Sequence, residues 1–133
     1  MLGGGNPVSS ANPTGIGQAL IYIGKHAYAT SGAIALTDSQ SAAVDTLLKF
    51  TTGNSYTVGK LDISDTATGS ETMFLDLTYD GQSVILNTSD SHDANSPLRF
   101  DILIPPFALV ELKMGTGGSS INASAFITGE VYA

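Results

Sequence analysis

The tightest constraint on this chain is a rhythm of two in the stretch LRFDILIPPFALVELKM, from Leu98 to Met114. Leu98, Phe100, Ile102 and Ile104 alternate with Arg99, Asp101 and Leu103. After Pro105-Pro106, Ala108, Val110, Leu112 and Met114 alternate with Leu109, Glu111 and Lys113. Successive side chains of a strand point to opposite faces, so a period of two is the strand period. Neither proline can donate to a ladder, and each pushes the residue before it to an extended conformation. The stretch therefore predicts two core strands joined by a stiff corner, and with them an all-β protein.

The same reading runs along the rest of the chain. Gln18 to Lys25 is a short extended segment, and Tyr28 to Leu36 a strand with Ile34 and Leu36 on one parity. Thr37 to Thr46 is a loop. Leu47 to Thr52 is a strand with Leu48 and Phe50 inward, and Gly53-Asn54 a turn. Tyr56 to Ser64 alternates Leu61 and Ile63 with Lys60 and Asp62. Glu71 to Tyr79 puts Met73, Leu75, Leu77 and Tyr79 on one face, with Phe74 as the exception. Asp80-Gly81 stands between two strand patterns and predicts a tight primed hairpin turn. Gln82 to Asn87 is the return strand, and Thr88 to Pro97 a polar loop. Gly115 to Ser120 is a flexible turn. Ile121 to Ala133 closes the chain, with Ala123, Ala125, Ile127 and Val131 on one parity and Phe126 and Tyr132 as large exceptions.

That makes about eight strands at a spacing of roughly 8–14 residues, the signature of a sandwich or barrel. The expected fold is an antiparallel β-sandwich of about eight strands, a jelly roll of two four-stranded sheets, with the Asp80-Gly81 hairpin between the fourth and fifth strands. An immunoglobulin-like sandwich also fits this spacing, although the chain has no Cys and no Trp to supply that fold's markers.

Charge excludes several classes of partner. Five cations, Lys25, Lys49, Lys60, Arg99 and Lys113, are scattered among twelve acids, for a formal net charge of -7. Phosphate backbones and anionic membranes both need clustered Lys and Arg, so no direct nucleic-acid or membrane partner is expected. No apolar run approaches the roughly 18 residues that span a bilayer, and no signal peptide is visible. Charged residues make up only 13% of the chain, against the usual ~25%. Such a surface suits packing against neighbours, as in an assembly; a secreted β-domain with a Ser/Thr surface is the plainer reading.

Nothing in the sequence favours an enzyme. His26 needs a hydroxyl or carboxylate partner in space to act as a base, and a surface or packing role is the plainer reading. Asp90, His92 and Asp93 have calcium-like oxygen spacing but lack the EF-hand pattern, and a solvated polar loop is expected. Zinc lacks Cys ligands. Gly115 to Ser120 has no following Lys and opens no helix, so it is no phosphate loop. No Ser sits in GxSxG, and pairs such as Asp62 and Asp65 are generic. No catalytic, cofactor or metal residue is therefore expected. Tyr22, Tyr28, Tyr56, Tyr79 and Tyr132 are candidates for stacking on sugar rings, but several share parity with core residues, and core packing is the default.

The N-terminal segment, MLGGGNPVSSANPTGIG, buries too little apolar surface to offset its ordering entropy. It is expected as a flexible arm over residues 1–17, ahead of a sandwich domain over 18–133. On the functional reading the arm orders against a neighbour through Leu2, Asn6, Pro7, Val8, Asn12, Pro13 and Ile16; a disordered terminus is the plainer reading.

Four pieces, GQALIYIGKHAYATSG, LLKFTTGNSYTVGKLDI, LIPPFALVELKM and SAFITGEVYA, carry a resemblance across most of residues 16–133. Together they resemble small virion structural proteins of tailed bacteriophages, especially marine ones, of the head-decoration or cement type. The IPPF corner and the terminal TG-x-VY are the most telling. The resemblance implies a jelly-roll sandwich made in the host cytoplasm and sitting on or within the capsid. It implies a homo-oligomer, typically a trimer, that binds the major capsid protein without catalysis or a cofactor. A receptor- or glycan-binding domain at a spike or fibre tip is the alternative.

Overall fold

The computed structural model describes residues 20–96 and 98–133. The described chain forms strands only: β1 (Ile21–Ile23), β2 (His26–Thr30), β3 (Ile34–Ala35), β4 (Asp45–Thr51), β5 (Tyr56–Asp65), β6 (Thr68–Tyr79), β7 (Gln82–Asp93), β8 (Leu98–Ile104), β9 (Leu109–Gly117) and β10 (Asn122–Tyr132). They build two antiparallel sheets packed as a sandwich. One has the order β1-β2-β10-β5-β8 with β3 also on β10; the other has the order β4-β9-β6-β7.

The winding is that of a jelly roll. β6 pairs with β7, β5 with β8, β4 with β9 and β2 with β10, every pair antiparallel. These pairs are nested in sequence, so the chain is one long hairpin rolled over on itself to place alternate pairs in opposite sheets. Its apex is Asp80-Gly81. Both residues have positive φ, 52° and 85°, as a primed two-residue turn requires. Counting the eight long strands alone, this turn separates the fourth from the fifth, as the sequence predicts.

The core lies between the sheets and follows the predicted parity. Ala108, Val110, Leu112 and Met114 are at most 2% exposed, as are Leu48, Phe50, Leu61, Met73, Leu75 and Leu77. Ile102 and Ile104 are buried, while Leu98 and Phe100 pack against the core from its margin. At the Pro105-Pro106 corner, Thr52 Oγ1 donates to the Pro105 carbonyl at 2.8 Å and accepts from the Ala108 N–H at 2.9 Å. The corner is thereby tied to the end of β4.

Four details differ from the sequence reading. There are ten strands among the described residues rather than about eight, and the sheets hold six and four rather than four each. The expected strand Tyr28 to Leu36 is broken, because Ser31 Oγ takes the Ala125 N–H at 2.9 Å and replaces a ladder bond; β2 and β3 then run along β10 in succession. Thr88 to Pro97 is not wholly a loop, since β7 continues through Asp93 on its ladder with β6. β9 likewise runs on to Gly117, three residues into the expected turn. The arm residues Leu2, Asn6, Pro7, Val8, Asn12, Pro13 and Ile16 lie outside the described residues.

Candidate functional site

Period-two geometry gives the six-stranded sheet an outer face as well as a core face. β10 sends Phe126, Thr128, Glu130 and Tyr132 outward; they pair in register with Asp62, Lys60, Val58 and Tyr56 of β5. β8 then sets Leu103 beside Val58, Asp101 beside Lys60 and Arg99 beside Asp62. On the other side of β10, Tyr28 faces Thr128 and His26 faces Glu130. No element among the described residues covers this face. It holds Ile23, Tyr56, Val58, Leu103, Phe126 and Tyr132, six of the ten exposed large hydrophobic residues among those described. A concentration of this kind marks an interaction surface rather than the scattered apolar residues of an ordinary exterior.

The face is hollowed into an open groove of about 1030 Å³, lined by apolar Ile23, Tyr28, Val58, Leu103, Phe126 and Tyr132 and by polar His26, Lys60, Asp101 and Glu130. Gly59 and Gly129, paired across β5 and β10, contribute bare backbone to its lining. A Cβ at Gly59 would lie 1.8 Å from the Thr128 carbonyl oxygen, and one at Gly129 would lie 2.6 Å from that of Val58. Only glycine lets the two strands approach in this way.

Charges on the face are largely matched within it. Lys60 Nζ lies 3.2 Å from Asp101 Oδ1, and Arg99 Nε lies 3.2 Å from Asp62 Oδ1. Both pairs are exposed, so each contributes at most about 1 kcal/mol. The Tyr132 hydroxyl donates to Glu130 Oε2 at 2.9 Å, and this bond to a carboxylate holds its pKa above the usual value. Tyr56 stacks on Tyr132 with ring centres 5.2 Å apart, and Tyr28 meets Phe126 at 6.3 Å. The five tyrosines thus divide. Tyr22 and Tyr79 pack against the core, and burial raises their hydroxyl pKa, that of Tyr79 to about 12. Tyr28, Tyr56 and Tyr132 belong to the outer face, against the core-packing default.

Of the chemistry-bearing residues singled out in the sequence, the structure brings together His92 and Asp65. His26 is exposed on β2. His92 corrects the expectation of a solvated loop: it is 4% exposed, and its Nε2 lies 2.7 Å from Asp65 Oδ2, whose side chain is also buried. A positive φ of 52° at Ser91 goes with an irregular register in β7 and turns His92 inward. Asp90 stays exposed, and Asp93 Oδ1 instead accepts the Asn95 N–H. Among the described residues no group of three His, Cys, Asp or Glu is placed to hold a metal. The pair ties sandwich end to sandwich end-loop, because Asp65 Oδ1 also accepts the Ala67 N–H at 3.0 Å.

Glu71 is a second buried acid that the sequence reading passed over, at 2% exposure. Its Oε1 accepts the Thr68 N–H at 2.8 Å, with the Thr68 and Ser70 hydroxyls adding weaker bonds. That backbone bond above all holds the Glu71 carboxyl below its ordinary value of 4.5. A depressed folded-state pKa contributes stability above the unfolded pKa and loses it as pH falls through the folded one. The urea midpoint difference between the natural chain and Glu71→Gln should therefore be largest near neutrality and shrink between about pH 5 and pH 3. A constant difference across that range would refute the assignment.

Solved structures it is similar to include virus particles and a sugar-binding domain. Infectious bursal disease virus, Gt strain, is 17% identical with a TM-score of 0.47, over 84% of this chain and 35% of that one. The VP2 subviral particle of the same virus is 18% identical with a TM-score of 0.45, over 84% and 35%. The C-terminal domain of EclA, a sugar-binding protein, is 18% identical with a TM-score of 0.42, over 92% and 87%. This chain thus spans about a third of the length of the viral chains. No protein-family model matches it, and no curated protein does. Among the described residues no helix is long and apolar enough to cross a membrane.

Proposed function

We propose that this chain is a non-enzymatic virion structural protein that decorates or cements a phage head, bound to the major capsid protein and associated with its own copies as a homo-oligomer, a trimer on this reading. The observation that carries it is the uncovered outer face of the six-stranded sheet, with Ile23, Val58, Leu103 and Phe126 open to solvent. A repeated capsid site is met by a symmetric oligomer, and buried apolar area at each contact resists the outward pressure of packaged DNA. The resemblance carried by the IPPF corner and the terminal TG-x-VY supports the same assignment. The arm over residues 1–17 reaches the capsid or a neighbouring subunit.

The full chain is expected to saturate purified expanded capsids. Deletion of residues 1–17 should leave the β-rich circular dichroism spectrum unchanged and abolish attachment. Unaltered attachment of the truncated chain removes the arm from the account, and failure of the full chain to attach removes the decoration role.

One observation favours the second reading, a glycan-binding domain. Tyr28, Phe126 and Tyr132 line the same groove as Lys60, Asp101 and Glu130, a combination of ring faces and polar groups that sugars use. A saturable signal on a glycan array, with no capsid binding, would transfer the function to this reading.

A further inference from the structure

β7 closes the four-stranded sheet with one side open. It is the edge strand of the order β4-β9-β6-β7 and is 12 residues long. Among the described residues only β6 pairs with it. Every second residue of β7 therefore turns its N–H and C=O away from the sheet, open to a further strand. Natural edges are blunted by shortness, by charges or by proline. The other edges of this fold follow that rule. β1 and β3 are three and two residues long, β4 carries Asp45 and Lys49, and β8 carries Arg99 and Asp101. β7 departs from it: from Gln82 to Ser89 it holds no charge and no proline. Its register irregularities fall towards its two ends and leave a regular run from Ile85 to Ser89. Within that run Leu86 is 76% exposed, and Val84 just before it is 49% exposed.

A strand is what fits beside such an edge, and a second copy of the chain supplies one. Opposed residues of an antiparallel pair exchange both their hydrogen bonds. A strand set against its own two-fold image thus matches each donor with an acceptor, whatever its sequence. Two chains of net charge -7 repel one another, and this uncharged run lets them meet without setting acid against acid. We infer that β7 pairs antiparallel with β7 of a second copy about a two-fold axis at Leu86, joining two four-stranded sheets into one of eight strands. Leu86 then faces its own counterpart, and Val84 faces Thr88 of the other copy. Outward side chains stay outward across the junction, as the period of two demands. The contact is isologous. It goes beyond the proposed function: it is separate from the three-fold association of that reading and links one oligomer to the next.

The natural chain has no Cys, so one introduced cysteine reports its distance from its own copy. In this pairing position 86 lies about 5 Å from its counterpart, within disulfide reach. Position 88 lies about 14 Å from its own, well beyond it. Under copper-phenanthroline oxidation Leu86→Cys should form a covalent dimer and Thr88→Cys should not. Val84→Cys and Thr88→Cys chains, mixed, should cross-link to each other. In sedimentation velocity the natural full chain should self-associate with rising concentration. Leu86→Lys should raise the dissociation constant about 30-fold or more, because two ammonium groups meet at the axis. Its melting temperature should stay that of the natural chain when both are monomeric, since the side chain stands in water. A monomeric natural chain, unchanged association of Leu86→Lys, or equal cross-linking at positions 86 and 88 would each overturn the inference. A chain that pairs in this way yet fails to attach to expanded capsids upholds the inference and removes the decoration role.

Discussion

Gly59→Val is expected to lower unfolding free energy by about 3 kcal/mol or more, the cost of forcing atoms into a filled site. The first added atom alone would sit 1.8 Å from the Thr128 carbonyl oxygen, and 2.6 Å from the Gly129 Cα. Both obstacles are backbone, so no rotamer change relieves them. β5 and β10 would have to part at the middle of their ten-residue ladder. Set against a typical stability of about 5–15 kcal/mol, that is a large fraction. Urea unfolding followed by circular dichroism measures it. A Gly59→Ala variant within about 1 kcal/mol of the natural chain would show that the strands separate readily there. Gly59 and Gly129 share one contact, so a double variant should cost less than the sum of its parts.

Asp65→Ala should lower stability by about 3 kcal/mol, because it strands His92 without a partner in the core. The two side chains are 3% and 2% exposed, and the 2.7 Å bond joins the end of β5 to the end of β7. Asp65→Ala also frees the Ala67 N–H. His92→Leu leaves the converse defect, an acid with one bond lost. Combining Asp65→Ala with His92→Leu removes both polar groups together and should cost less than the sum of the single changes. Additive losses across this double-mutant cycle would mean that the bond carries no coupling.

Much of the fold is legible in the sequence where one face of a strand is buried and the other wet. β9 is the clearest case, with Val110, Leu112 and Met114 all inward. Asp80-Gly81 is legible because few dipeptides accept two positive φ values in succession. The second half of β7, from Thr88 to Asp93, is not, and the reason is its position at a sheet edge. Beyond Ile85 its inward parity carries Asn87 and Ser89, so no apolar stripe distinguishes strand from loop. The burial of His92 is invisible for a different reason: its partner Asp65 lies 27 residues away, and a bulge reverses its direction. The candidate binding face was half visible. Phe126 and Tyr132 broke the parity of β10 as large residues on the wrong side, and Leu103 did the same in β8. Those exceptions mark a face that must be apolar without being core. The positive φ of Phe107 left no trace in the sequence, since nothing but the fold imposes it.

The nested winding has a consequence for how the protein is made. β10 is the last of the described strands to be synthesised, yet it lies inside the six-stranded sheet, between β2 and β5. Pairings this distant in sequence form slowly, and β2 must wait until β3 to β9 have been synthesised before β10 exists to pair with it. A product lacking the 11 residues of β10 has no way to join the two flanks of that sheet. Folding of this sheet thus waits for β10, and copies terminated before it are kept out of any assembly built from the folded sandwich.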